Sequence, residues 1–267
     1  MKSEVLKFKL KRMKQIALIT GGSRGIGNGI ATHLAKAGFD LGINGVRAES
    51  EAEEQLQKLR DLGAKVIYCQ GNIGVAADRI SILENIKAHF GYLNVLVNNA
   101  GIAPVNRCDF LEVTEENFDT LMDVNQKGTF FLTQLIVKYL LELKANETVS
   151  TACVVNITSV SALAASTQRA EYCMSKASLS MLSKVLAVRL ASHDIPVYEI
   201  QPGIIDTDMI TKVRDKYVKL AEELVLERRM GTPDDIGKIV TALVTGQIPY
   251  ATGQVISPDG GMGIWRF

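Results

Sequence analysis

Tyr172 and Lys176 stand four residues apart in a stretch, Glu171 to Ala191, rich in Ala, Ser, Leu and Val and read as a helix. On a helix that spacing puts both side chains on one face. A free tyrosine titrates near ~10, too high for acid–base work at neutral pH. An ammonium beside it favours the phenolate, at about 1.4 kcal/mol per unit of lowering. Roughly two or three units would bring Tyr172 near working pH, where general acid–base catalysis operates best. Ser159, just after a β-branched, apolar strand (Thr151 to Ile157), could hold a substrate oxygen beside that phenol. Alone, the Tyr-x-x-x-Lys spacing also fits two solvated surface residues, and Ser161 reads as structural.

The second chemical feature lies near the start of the chain, in Gln15 to Ala37. Ile16 to Ile19 is an apolar run without alternation, as in a strand covered on both faces. Gly21, Gly22, Gly25 and Gly27 follow, and Ile26, Ile30 and Leu34 then recur at helical spacing until Gly38. A glycine-rich bend between a buried strand and a helix start leaves backbone N–H groups pointing one way, which with the helix dipole suits a phosphate. Two other readings compete. One is a tight turn needing positive φ. The other is a serine-hydrolase elbow, since Gly21-Gly22-Ser23-Arg24-Gly25 matches G-x-S-x-G. That elbow needs a late histidine, and none follows His193.

The elements that must position these residues follow in order. Strands are expected at 39–44, 65–69, 93–97, 151–157, 195–200 and 255–257. Helices are expected at 48–62, 75–90, 114–143, 171–191 and 233–244, the last opened by the Thr232 cap and Pro233. Alternation of strands with helices of this length gives a parallel sheet joined by right-handed crossovers. The fold class is therefore α/β, a single doubly wound Rossmann-type sheet of about seven strands with helices on both faces. Ligands of such sheets lie beyond the carboxyl ends of the strands, where Gly21–Gly27, Asn44–Arg47, Asn98–Gly101, Ser159 and Pro202–Thr207 all fall. Residues 1–13 read as a basic tail and 14–267 as one domain with a lid at about 206–230.

Composition narrows the function classes. Thirty basic and 29 acidic residues leave a net charge of +1, which gives no field for nucleic acid. No apolar run reaches the ~20 residues of a membrane span, and the basic start has no apolar segment of a secretory signal. Four dispersed cysteines read as reduced thiols of a cytoplasmic protein, and three scattered histidines give no metal site.

Together, TGGSRGIG (20–27), NNAG (98–101), Asn125, Ser159, YCMSK (172–176) and PGIIDT (202–207) resemble the short-chain dehydrogenase/reductase family in identity, order and spacing. The resemblance spans about residues 14–263 and is similar in flavour to 3-ketoacyl-(acyl-carrier-protein) reductases and sugar or polyol dehydrogenases. It implies that Gly21, Ser23, Arg24, Gly25, Ile26 and Gly27 line the adenosine and pyrophosphate end of a nicotinamide cofactor. Asn99, Ala100 and Gly101 would hold its middle, and Pro202, Gly203, Ile205 and Thr207 would flank the nicotinamide. Tyr172 would be the acid or base and Ser159 would orient the reacting oxygen. Lys176 would bind the ribose and lower the tyrosine pKa, and Asn125 would hold a water; its structural alternative is a helix-bend residue bonding backbone. A homotetramer is implied too, with helices 114–143 and 171–191 at one interface.

Two positions depart from the family pattern. Asn72-Ile73 replaces an Asp-Val-like pair at the adenine. After the second strand the chain reads Asn44-Gly45-Val46-Arg47, without the acid that meets the ribose hydroxyls in NAD-specific sites. Arg24 and Arg47 suit a 2′-phosphate instead, so NADP(H) is expected over NAD(H). The expected reaction is reduction of a 3-oxoacyl or similar ketone, on a small-molecule or acyl-carrier substrate. An NAD-dependent sugar or polyol dehydrogenase, and a non-catalytic nucleotide-binding protein on the same fold, are the alternatives.

Overall fold

A computed structural model describes residues 13–266, so the sequence-predicted basic tail lies, apart from Met13, outside the described residues. Seven strands form one sheet: β1 Ile16–Ile19, β2 Asp40–Gly45, β3 Val66–Gln70, β4 Val95–Asn98, β5 Cys153–Ile157, β6 Val197–Ile200 and β7 Val255–Ile256. Their order is β3-β2-β1-β4-β5-β6-β7, and every neighbouring pair is parallel. The order reverses between β1 and β4, which is the switch point where such sheets open a ligand crevice.

Two apolar layers cover the sheet, because parallel strands must be shielded on both faces. One layer packs α1 (Gly25–Lys36), α2 (Glu49–Asp61) and α8 (Pro233–Val244) through Ile30, Leu34, Leu56, Leu59, Ile236 and Val240. The other packs α3 (Ala76–Phe90), α5 (Thr129–Ala145) and α6 (Ala170–Leu190) through Ile82, Ile86, Leu132, Ile136, Leu140 and Leu190. α4 (Glu115–Met122) and α7 (Arg214–Leu224) stand at the carboxyl edge of the strands, the second following a 3₁₀ segment, Asp208–Val213, in the sequence-predicted lid.

The expected elements are present with boundaries shifted by one or two residues, save one. The helix expected from Thr114 to Leu143 is interrupted: α4 and α5 are joined by a π-helical turn, Asp123–Gly128. Two contacts explain the break. A Cβ on Gly128 would lie 2.8 Å from the Ile73 backbone, so the chain passes that loop without a side chain. Asn125, within the turn, bonds the backbone of Ile102 at 2.8 and 3.0 Å and Ser175 Oγ at 3.2 Å. Inserted π turns of this kind gather at functional sites.

Candidate active site

The bend after β1 is built as the glycine spacing requires. Gly21 has φ +61° and Gly25 φ +53°, conformations that L-residues with side chains rarely adopt. A Cβ on Gly27 would come within 2.9 Å of the Gly21 carbonyl carbon and 2.5 Å of Asn99 Nδ2, so the third glycine permits close helix packing. Thr20 and Asn99 lock the bend to β4. Thr20 Oγ1 accepts from the Asn99 and Ala100 amides at 2.9 Å, and Asn99 Nδ2 donates to the Thr20 and Gly21 carbonyls at 2.8 and 3.2 Å. α1 starts without a side-chain cap, since Arg24 makes no capping bond. Its first-turn N–H groups therefore face the cleft, ready for an anion.

A cleft of about 480 Å³ opens there. Gly21, Ser23, Arg24, Gly25 and Ile26 line one end with Asn44, Arg47, Asn72 and Ile73; Asn99, Ala100 and Gly101 line the middle; Tyr172, Lys176 and Thr207 line the other end. Segments far apart in sequence thus meet in one cavity at the switch point.

Several side chains expected to face a ligand have other partners. Asn44 donates to the Cys69 and Gly71 carbonyls at 3.0 and 2.9 Å, tying the end of β2 to β3. Asn72 Oδ1 accepts from Gly74 N at 2.9 Å in a local turn, and the Ile73 carbonyl accepts from the buried Arg79 at 2.6 Å. Six expected site residues do not line the cleft: Gly27, Asn125, Ser159, Pro202, Gly203 and Ile205. Asn125 is fully buried and its side-chain amide bonds Ile102 and Ser175, the contacts of a residue that holds a helix bend. Pro202 and Gly203 have backbone neighbours instead. The Pro202 carbonyl accepts from Val160 N at 3.1 Å, and a Cβ on Gly203 would lie 2.7 Å from Asp259 Cα. Ser159 sits beside Tyr172, its Oγ accepting from Ser161 N at 3.1 Å, so Ser161 serves the turn as expected.

Sequence reasoning did not single out Ile102, Val124, Thr158, Asp208 and Met209, which also line the cleft. Thr158 and Ile102 flank recognised motifs and could have been found by adjacency; Val124 and Met209 carry no local signal.

Burial dominates the electrostatics of the pair. Burial raises the Tyr172 pKa, while the adjacent Ser159 hydroxyl and the Arg169 charge act the other way. The Arg169 guanidinium carbon and Lys176 Nζ each lie 5.7 Å from the ring centroid. Lys176 Nζ also donates to the Ile157 carbonyl at 3.2 Å. Lys176 is itself drawn down to about 8 by burial. At neutral pH this pairs a protonated phenol with a largely charged ammonium.

The hydrolase alternative has no base. His33 meets Asp234, His89 meets the Asn85 carbonyl and His193 meets Arg189, and no histidine lines the cleft. Among the described residues no helix is long and apolar enough to cross a membrane, and no group of three or more His, Cys, Asp or Glu could hold a metal.

Sheet order and cleft position put this chain among the doubly wound dinucleotide-binding proteins. A family model described as Enoyl-(Acyl carrier protein) reductase matches residues 21–263. The 3-oxoacyl-(acyl-carrier-protein) reductase of Staphylococcus epidermidis is 31% identical over 250 residues, covering 94% of this chain and 99% of its own. That of Aggregatibacter actinomycetemcomitans is 34% identical, covering 94% and 100%. Among solved structures, a 3-oxoacyl-(acyl-carrier protein) reductase of Brucella melitensis in complex with NAD is 43% identical, covers 96% of this chain and 100% of that one, and superposes with a TM-score of 0.91. The chain belongs to the short-chain dehydrogenase/reductase family, and it is an oxidoreductase acting on a carbonyl or alcohol with NAD(P).

Proposed function

We propose that this protein reduces a 3-oxoacyl thioester, or a similar ketone carried by an acyl carrier, at the expense of NADPH. The reading is carried by one observation: Tyr172 and Lys176 open into the same cleft as the glycine bend. The uncapped start of α1 and the open side of Gly25, where a Cβ would meet nothing nearer than Thr207 at 3.5 Å, fit a dinucleotide pyrophosphate. Gly21, Ser23, Arg24, Gly25, Ile26, Asn72, Ile73 and Asn99 to Gly101 would hold that group, and Thr207 would border its reactive end.

When bound, the nicotinamide supplies the hydride. Tyr172 donates its hydroxyl proton to the substrate oxygen, and burial, by keeping the phenol protonated, suits this acid role. Ser159 orients that oxygen. Lys176 binds the ribose hydroxyls and offsets negative charge on the phenolate left after proton transfer. Arg24, Arg47 and Ser23 favour a 2′-phosphate, since Asn44, Gly45, Val46 and Arg47 line the cleft at the end of β2 with no acid among them. The relatives' acyl-carrier substrates and the exposed apolar faces of α5 and α6 support a carrier-borne substrate and a homotetramer.

The test is loss of reduced-nicotinamide absorbance with 3-oxoacyl thioesters, simple ketones and polyols. Thioester reduction is expected, falling by about 10²-fold or more in Tyr172→Phe while NADPH binding, read by fluorescence, persists. Turnover of polyols alone, or full activity in Tyr172→Phe, would overturn the proposal.

A further inference from the structure

Behind the cleft, Glu199 on β6 carries a carboxyl group that is 1% exposed and has no cationic partner within ion-pair distance among the described residues. Its neighbours are three donors from three directions. Thr158 Oγ1 reaches Oε1 at 2.7 Å, Gln201 Nε2 reaches Oε1 at 2.8 Å, and Ser180 Oγ reaches Oε2 at 3.0 Å. Each donor is attached to a segment that presents a site residue. Thr158 lines the cleft and precedes Ser159. Ser180 lies one helical turn beyond Lys176 and two beyond Tyr172, on the same face of α6. Gln201 precedes Pro202, whose carbonyl holds the Val160 amide in the Ser159 turn at 3.1 Å.

Burying a carboxyl group among apolar strands costs stability, and an aliphatic side chain of similar size would fill the same space without that cost. What an aliphatic side chain cannot do is hold a strand end, a helix and a loop at one point. We infer that Glu199 is a positioning residue for carbonyl reduction, fixing the Ser159 turn against the Tyr172–Lys176 face of α6. The inference rests on the proposed reductase reading. Small displacements of a proton donor relative to the reacting oxygen are enough to slow such a step by orders of magnitude.

The test compares Glu199→Gln, Glu199→Leu and Ser180→Ala with the unaltered chain in NADPH-dependent ketone reduction. It uses NADPH bearing deuterium on the transferred position and follows hydrogen–deuterium exchange of residues 157–162. Glu199→Gln keeps two acceptor contacts and is expected to retain kcat within about threefold. Glu199→Leu is expected to lose tenfold or more in kcat, with KM for NADPH within threefold, a larger isotope effect and faster exchange in 157–162. Ser180→Ala releases only the helix side; it serves if Glu199→Leu fails to fold, and is expected to lower kcat threefold or more. A folded Glu199→Leu or Ser180→Ala chain with unchanged kcat and isotope effect overturns the inference, even if its thermal midpoint falls. Absence of turnover by the unaltered chain overturns the reductase reading and this inference with it.

Discussion

Lys176 shows how burial sets a working range for a single residue. Its folded-state pKa of about 8 lies below the ordinary 10.5 because the buried ammonium loses hydration. The charge that would hold a ribose and balance a phenolate is therefore present below about pH 8 and lost above it. Ketone reduction should hold steady through neutrality and decline as pH rises through about 8; a rate that stays level beyond pH 9.5 would contradict this. Stability runs the opposite way. Between about 8 and 10.5 the unfolded chain binds the proton that the folded chain has released, so folding gains stability with rising pH across that window. Lys176→Met should then gain most over the unaltered chain at pH 7, and the gain should shrink towards pH 10.5, as read by thermal unfolding. Arg47 belongs to the same scale. Its Nη2 lies 3.5 Å from Ser23 Oγ at the β2 end of the cleft. Arg47→Ala should weaken NADPH about tenfold, the worth of one charge-assisted contact, and leave NADH within twofold; equal losses would argue against a 2′-phosphate contact. At this scale the sequence was legible where a residue type carries its own chemistry, as with Tyr172, Lys176 and the glycines. It was less so at Asn125 and Asn44, because an amide that suits a ligand also suits a backbone carbonyl, and only the fold determines which it meets.

The crossing of α1 and α8 is the element-scale counterpart of the glycine bend, because α1 carries that bend at its start. The two helices touch through backbone. A Cβ on Gly29 would fall within 2.6 Å of the Pro233 carbonyl carbon, and one on Gly237 would lie 2.6 Å from the Gly29 carbonyl oxygen. Gly29→Ala must push the helices apart, and overpacking of this kind costs about 1–3 kcal/mol; a thermal midpoint unchanged within a degree would show that the crossing yields freely. Asp234 pins the same crossing, accepting from Lys238 and His33 Nε2, and its pKa is held down to about 2 by those contacts. A depressed acid contributes stability above its unfolded value, here near 3.8, and loses it as pH falls towards 2. Asp234→Asn should therefore lower the thermal midpoint at pH 7 and make little difference at pH 2. The start of α8 could be read directly, since Thr232, Pro233 and Asp235 form a capping box with Pro at the first helical position. The π turn at Asp123–Gly128 could not, because its causes, the Ile73 backbone and the Ile102 amide, are distant in sequence.

At the scale of the whole molecule, the remaining question is what covers α6. Its inner face is committed to the sheet and to the site, yet Met174, Met181, Val185 and Val188 follow one another at helical spacing on the opposite side, with Val188 83% exposed. Phe130 and Phe131 on α5 are also exposed, ring edge to ring face with centroids 5.2 Å apart. A contiguous apolar stripe on a helix outside the core is a surface that association hides from water. A helix face meeting its own copy about a twofold axis is the simplest closed way to do so. Because that helix also bears Tyr172 and Lys176, such an interface would stiffen the catalytic face from behind. One such twofold closes a dimer, and the homotetramer proposed above needs a second interface besides it; the protein should run as a tetramer in light scattering after size exclusion. The double substitution Val185→Asp with Val188→Asp places like charges on both sides of the twofold. It should yield a smaller species that keeps its helical circular dichroism and loses activity at dilution. A monomeric mass for the unaltered chain across micromolar concentrations would leave the stripe without a self-partner and remove the basis for this prediction.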